Sequence, residues 1–187
     1  MDKLIIYLHQ PEYDATIESL LQGLHERQVF EQLTDNAIRL TARIDPYEPL
    51  DYDEIYTLIL SDFDQPTTFL VLTETVHNVI TETLITEYLT QIPKNYYQGE
   101  ELLLTLIKRH KESIPILQKA LSKRLEKSLI ETTLAIADAN MNLSIAAKNM
   151  YMHRNSLHYR IDKIIEITGI NIRTFKGLSI FTQLFRH

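Results

Sequence analysis

The stretch NLSIAAKNMYMHRNSLHYRIDKIIEITG, residues 142–169, decides the fold of the C-terminal half of the chain. Two segments with helical periodicity are separated by a short junction, which predicts two short helices. The apolar residues of the second segment have the i, i+4, i+7 spacing of a buried stripe: Leu157, Ile161 and Ile164. Gly169 closes the segment where helices commonly end in a left-handed residue. The layout predicts a helix-turn-helix at about 142–168.

The ends and the crossing point of these helices can also be predicted. Either Asn142 or Ser144 can cap the first helix, because a side-chain oxygen accepts from the unpaired backbone N–H groups of a first turn. Ala146 and Ala147 are small, so we expect the two helices to meet there at close range. His153 stands where the second helix should be capped.

The first turns of the second helix, about 153–168, carry hydrogen-bonding groups rather than the Lys and Glu of a solvated face. Arg154 can fork onto guanine and Asn155 can pair with adenine if this helix lies in the major groove of DNA. Ser156, Tyr159 and Arg160 suit phosphate oxygens, although Arg160 could instead pair with a neighbouring acid of its own domain. The candidate DNA-binding residues are His153, Arg154, Asn155, Ser156, His158, Tyr159 and Arg160, and Arg173 and Lys176 could extend the backbone contact.

Residues from about 129 to 184 resemble the C-terminal helix-turn-helix domain of the PucR/CdaR family of bacterial transcriptional regulators. The resemblance rests on the His-Arg-Asn-Ser-Leu-x-Tyr-Arg signature at 153–160 and on the Thr-Gly ending at Gly169. The segment is more distantly similar to the DNA-binding end of the nucleoid protein Fis. The resemblance implies DNA contacts by His153, Arg154, Ser156, Tyr159 and Arg160, and an effector-sensing region upstream.

Charge divides the chain in the same way. The 187 residues carry a net charge of −6, but residues 1–100 hold 5 Lys and Arg against 18 Asp and Glu, whereas residues 101–187 hold 14 against 7. This asymmetry favours a polyanion as the partner of the second half. The absence of Cys is typical of a reducing cytosol, so a cytoplasmic protein is expected. No apolar run is long enough for a membrane span.

The predicted fold class is α+β. The segment IPKNYYQGEE, residues 92–101, combines Pro, Asn and Gly where the charge balance changes, and it predicts a boundary between domains 1–95 and 96–187. We expect a small N-terminal mixed domain with a short antiparallel sheet of about three strands and flanking helices. The C-terminal domain is expected to be all-α and to bind DNA.

Individual elements are predicted from periodicity. Helical spacing covers 14–33 and resumes at 76–92, alternation predicts a strand at 36–44, and the β-branched runs 54–62 and 67–75 read as a hairpin. The opening segment 3–9 fits a strand or a helix equally. In the second half we expect helices at 100–110, 122–139 and 174–185, besides the helix-turn-helix.

The remaining patterns indicate no chemistry. The scattered histidines and the acidic run 45–54, which lacks the spacing and the glycine of an EF-hand, predict no metal site, no cofactor and no enzyme. The expected partners are double-stranded DNA, a second copy of the chain in a homodimer, and a small-molecule effector or protein at the N-terminal domain, with no membrane. The alternative is a protein-interaction module in which the helix-turn-helix is only a scaffold.

Overall fold

A computed structural model of the protein describes residues 3–12, 15–24, 28–43, 50–63, 66–93 and 95–186. Residues 45–49 of the acidic run 45–54 lie outside the described residues. The chain divides into two compact units, one of residues 1–77 with 81–99 and the other of residues 78–80 with 100–187. None of the helices that the structure describes is long and apolar enough to cross a membrane.

The first unit is built on a sheet of five strands in the order β2-β3-β1-β4-β5. The strands are β1 Lys3–His9, β2 Gln28–Thr34, β3 Ala37–Arg43, β4 Thr68–Thr73 and β5 Tyr96–Gln98. Neighbouring strands are antiparallel except β4 and β5, which are parallel. The α+β class is confirmed, and the sheet is larger than the three strands expected and mixed in direction.

Helices of the first half flank this sheet. They are α1 Ala15–Leu24, α2 Tyr52–Phe63, α3 Glu74–Ile80 and α4 Glu82–Tyr88. One face of the central strands buries an apolar cluster with α1 and α2, which includes Leu4, Ile6, Leu8, Ile17, Leu21, Ile38, Leu40, Ile55, Ile59, Phe69 and Val71. The undecided opening segment is the central strand β1, and alternate residues on its other face, such as Tyr7, are also buried.

The predicted strand at 54–62 is wrong, since these residues form α2, and the hairpin expected with 67–75 does not exist. The buried residues Ile55 and Ile59 are four apart, which is the period of a helix face rather than of a strand. Asp51 Oδ1 also accepts from the backbone N–H of Asp53 at 3.0 Å and of Glu54 at 3.2 Å, as an N-cap does. Packing period and capping therefore outweigh the β propensity of Ile, Tyr and Thr.

The helix predicted across 14–33 is correct only for its first part. The chain leaves α1 after Leu24 and returns as β2, which pairs with β3 through a turn at Asp35 and Asn36. A two-residue turn of Asp and Asn matches the short loops that join hairpin strands. The apolar positions Val29 and Leu33 fit a helical period by coincidence, and Val29 is exposed.

The second unit is helical, as predicted. It contains α5 Gly99–Arg109, α6 Ser113–Arg124, α7 Lys127–Asp138, α8 Leu143–Asn149, α9 Arg154–Thr168 and α10 Phe175–Phe185. The helix expected to run through 122–139 is broken, because Leu125 is extended and buried and separates α6 from α7. Within this unit α7 packs against α8, α9 and α10.

Candidate nucleic-acid interface

The first helix of the predicted helix-turn-helix, α8, is fixed at its start and at its middle. Asn142 Oδ1 accepts from the backbone N–H of Ser144 at 3.1 Å and of Ile145 at 3.2 Å, so Asn142 is the cap. Ala146 and Ala147 are buried, and α8 packs against both α7 and α9. The small residues stand where the prediction placed them, which allows the helices to approach closely.

The turn between α8 and α9 contains a residue in an unusual conformation. Tyr151 has a φ of 52°, and its side chain is 98% exposed. The left-handed region costs a residue with a Cβ roughly 1–2 kcal/mol, and this tyrosine recovers none of that through burial. The backbone N–H of Met152 donates to the carbonyl of Ala147 at 3.0 Å, which ties the turn to α8.

His153 caps α9 with its ring. Its Nδ1 accepts from the backbone N–H of Asn155 at 3.2 Å, and the residue is exposed. An accepting Nδ1 carries no proton, so the neutral ring is protonated on Nε2. The cap therefore fixes the tautomer and leaves an N–H donor beside the first turn of the helix.

The buried side of α9 holds the helix against the rest of the unit. Leu157, Ile161, Ile164 and Thr168 are buried, which confirms the predicted stripe. Gly169 closes the helix with a φ of 70° and donates its backbone N–H to the carbonyl of Ile165 at 2.7 Å. The orientation of α9 is thus set by packing along one side and by caps at both ends.

The opposite side of α9 presents polar residues over its first two turns. We call Arg154, Asn155, His158 and Tyr159 the front of α9, because 154 and 158, and 155 and 159, are one turn apart. Arg154, Asn155 and Tyr159 are exposed, Tyr159 to 68%, while His158 is half-buried. Their side chains make no hydrogen bond or ion pair within the described part of the chain. Ser156 is exposed at the edge of this front.

Three of the basic residues considered for DNA contact are engaged within the protein. Arg160 Nη1 donates to the hydroxyl of Thr132 at 3.1 Å and to the carbonyl of Ser128 at 3.4 Å, both on α7. The partner of Arg160 is thus α7, not a neighbouring acid. Arg173 pairs with Asp162 at 2.6 Å. Lys176 pairs with Glu101 at 2.5 Å.

A comparison with known protein families concerns this same region. Residues 129–182 match the family model of the PucR C-terminal helix-turn-helix domain. These residues form a PucR-type helix-turn-helix domain.

The chain also matches a relative over part of its length. The "Uncharacterized protein YxkF" of Bacillus subtilis (strain 168) is 46% identical over 52 residues, which are 28% of this chain and 18% of that protein. A crystal structure of a "Regulator of Polyketide Synthase Expression" from Bifidobacterium adolescentis aligns with a TM-score of 0.48 and 15% identity, over 98% of this chain and 78% of that one. The family match confirms the resemblance and points to a regulatory protein.

The first unit holds a polar cluster that the sequence did not reveal. The buried hydroxyl of Tyr7 lies 2.8 Å from Nε2 of His77, and Arg39 pairs with Glu31 and, at 2.5 Å, with Glu82. Burial raises the pKa of Tyr7 to about 12 and lowers the pKa of His77 below its ordinary value. The neutral forms of both groups are therefore favoured inside the fold.

Proposed function

We propose that this chain is a sequence-specific DNA-binding regulator of transcription that places α9 in the major groove. The observation that carries the proposal is the front of α9: four polar side chains without partners in the described chain, at the N-terminal end of a packed and capped helix. The helix dipole makes this end positive, and a helix is about as wide as the major groove. The PucR-type domain supports the same reading.

Each candidate residue has a proposed role that fits its place. Arg154 forks onto the O6 and N7 of guanine, and Asn155 pairs with adenine, since both begin the helix with free side chains. The Nε2–H of His153 and the hydroxyl of Ser156 donate to phosphate. His158 and Tyr159 lie one turn later on the front and are the next candidates for contact with DNA. The remaining donors of Arg160 donate to the DNA backbone.

Acidic residues limit how much of α9 meets DNA. Asp162 and Glu166 are exposed and continue the same side of the helix beyond Tyr159. Their carboxylates would repel phosphate, and among the described residues only Asp162 has a basic partner, Arg173. The proposed contact therefore lies in the first two turns of α9. Recognition helices commonly contact bases with their N-terminal residues, and the proposal agrees with this.

A single module of this size buries little DNA surface and binds weakly at physiological salt. We therefore propose a homodimer that reads a palindrome, with half-sites about 10–10.5 base pairs apart.

We retain the division into residues 1–95 and 96–187 as a proposal. The acidic N-terminal domain is repelled by DNA, and we assign to it dimerisation and the binding of a small-molecule effector or a protein partner.

Selection of binding sites from random duplex DNA by the full-length protein tests the proposal. We expect an enriched palindrome and binding that weakens steeply with salt, because phosphate contacts release counterions. Arg154→Ala should weaken binding by about 1–3 kcal/mol and relax the preference at one base pair. Arg109→Ala removes an equal charge from α5 and is the matched control. No enrichment, together with salt-insensitive capture of a protein partner, would instead support the scaffold alternative.

A further inference from the structure

A shallow groove of about 440 Å³ runs beside the front of α9, between that helix and the first turn of α7. We call it the flank groove. Its lining consists of Glu126, Ser128 and Leu129 at the start of α7, and of Asn155, Ser156, Tyr159, Arg160 and Lys163 on α9. Asn155 and Tyr159 belong to both surfaces, so the groove is continuous with the proposed base-reading front.

Three of the five residues on the α9 side of the flank groove lie on one stripe of the helix. Ser156, Arg160 and Lys163 have the i, i+4, i+7 spacing that aligns side chains along a helix. Both bonds from Arg160 to α7 use Nη1, so Nη2 keeps its donors. Lys163 is half-buried and forms no ion pair within the described ranges of the chain. The stripe thus presents a hydroxyl and two cations.

We propose that the flank groove binds a phosphate group of the DNA backbone, on the strand that borders the major groove beside α9. The inference rests on the proposed function. A helix in the major groove has a sugar-phosphate backbone along each side, and the flank groove occupies one of these sides. Hydroxyl, ammonium and guanidinium groups are the donors that proteins use for phosphate oxygens. The stripe of Ser156, Arg160 and Lys163 in this groove positions the protein on the duplex and reads no base.

One residue of the groove opposes this ligand. Glu126 is exposed and is the cap residue of α7, and its carboxylate makes no capping bond and no ion pair with the residues that the structure describes. A negative charge beside a bound phosphate weakens binding through repulsion. Removal of that charge should therefore strengthen binding to any duplex, more at low salt than at high salt.

The test is a salt titration of full-length protein on two duplexes of equal length, one with the selected site and one of random sequence. Lys163→Gln should weaken binding to both duplexes and reduce the salt slope by about 1. Lys119→Gln, on α6 outside the groove, should leave the slope unchanged. Glu126→Gln should tighten binding to both duplexes, whereas Glu131→Gln, one turn further along α7, should not.

The outcomes separate this inference from the proposed function. The wild-type protein could prefer its selected site while Lys163→Gln and Glu126→Gln bind with the same affinity and the same salt slope as the wild type. In that case the flank groove binds no phosphate, and the proposal of a DNA-binding regulator is unaffected. A wild-type protein that binds neither duplex overturns both. Circular dichroism confirms that the variants are folded, and the gain expected for Glu126→Gln cannot arise from damage to the fold.

Discussion

Gly177→Ala in α10 is a sharp test of the packing between α10 and the loop that follows α9. Gly177 is buried, and a Cβ added there would lie 2.6 Å from the carbonyl carbon of Asn171 and 3.0 Å from Oε1 of Glu100. Carbon atoms prefer about 3.5–4.0 Å. The same Glu100 oxygen accepts from the backbone N–H of Asn171 at 2.6 Å, so the loop that follows α9 is tied to the first turn of α5 and cannot easily withdraw from an added Cβ.

Two effects of opposite sign decide the result. Alanine in place of glycine favours a helix by roughly 1 kcal/mol. Overpacking by one methyl group costs about 1–3 kcal/mol, and more when the obstacle is backbone rather than a flexible side chain. We expect the clash to win, with a net loss of about 2 kcal/mol in the free energy of unfolding. For a chain of 187 residues this lowers Tm by roughly 4–8 °C.

The measurement is thermal and urea unfolding followed by circular dichroism. Gly23→Ala is the matched control, because Gly23 lies in α1 with no neighbouring atom within 4 Å of an added Cβ. That variant should gain stability by up to about 1 kcal/mol. A Gly177→Ala protein as stable as the wild type, or more stable, would show that helix propensity dominates and that the contact with Asn171 is not tight.

Three further predictions address the caps, the core and the polar cluster. Asn142→Ala should lower stability by about 1 kcal/mol in urea unfolding because it removes the α8 cap, whereas Ser144→Ala should not. Leu157→Ala should lower the free energy of unfolding by about 2–5 kcal/mol because Leu157 is buried. Tyr159→Ala should lower it by less than roughly 0.5 kcal/mol because Tyr159 is exposed. Because burial lowers the pKa of His77 in the folded state, the unfolded state binds its proton first, so stability should fall as the pH drops below 6.5. His77→Gln should flatten this slope in a pH series of urea unfolding, and an unchanged slope contradicts the assignment.

The C-terminal unit could be predicted because its signals are local. Asn142, His153 and Gly169 stand at helix ends, and the spacing of Leu157, Ile161 and Ile164 defines one face; all of these can be read from neighbouring residues. The break between α6 and α7 was missed because Leu125 carries no Gly or Pro signal. Its extended backbone depends on burial, which sequence spacing does not reveal.

The N-terminal unit was harder because its sheet joins distant segments. β1 pairs with β3 and β4, so the strand character of residues 3–9 depends on partners more than 25 residues away. The α2 segment is rich in strand-forming residues, yet Asp51 and the four-residue spacing of Ile55 and Ile59 were signals in the sequence that favoured a helix. At this segment, the capping residue and the spacing of buried residues indicate the helix more reliably than the content of strand-forming residues does.

The site shows the same limit at the level of single side chains. Arg154 and Arg160 look equivalent in the sequence, but only Arg154 lacks a partner within the described residues, while Arg160 is bonded to α7. The proposed base-reading front therefore holds a single arginine, and the other cation beside it with no ion pair, Lys163, lies in the flank groove. Under the proposed function, we expect discrimination between sequences to depend mainly on the first turn of α9, and salt-dependent affinity to depend on the groove and on a second copy of the domain. Arg154→Ala and Lys163→Gln should consequently differ in kind: the first alters which duplex is preferred, and the second weakens binding to all of them alike.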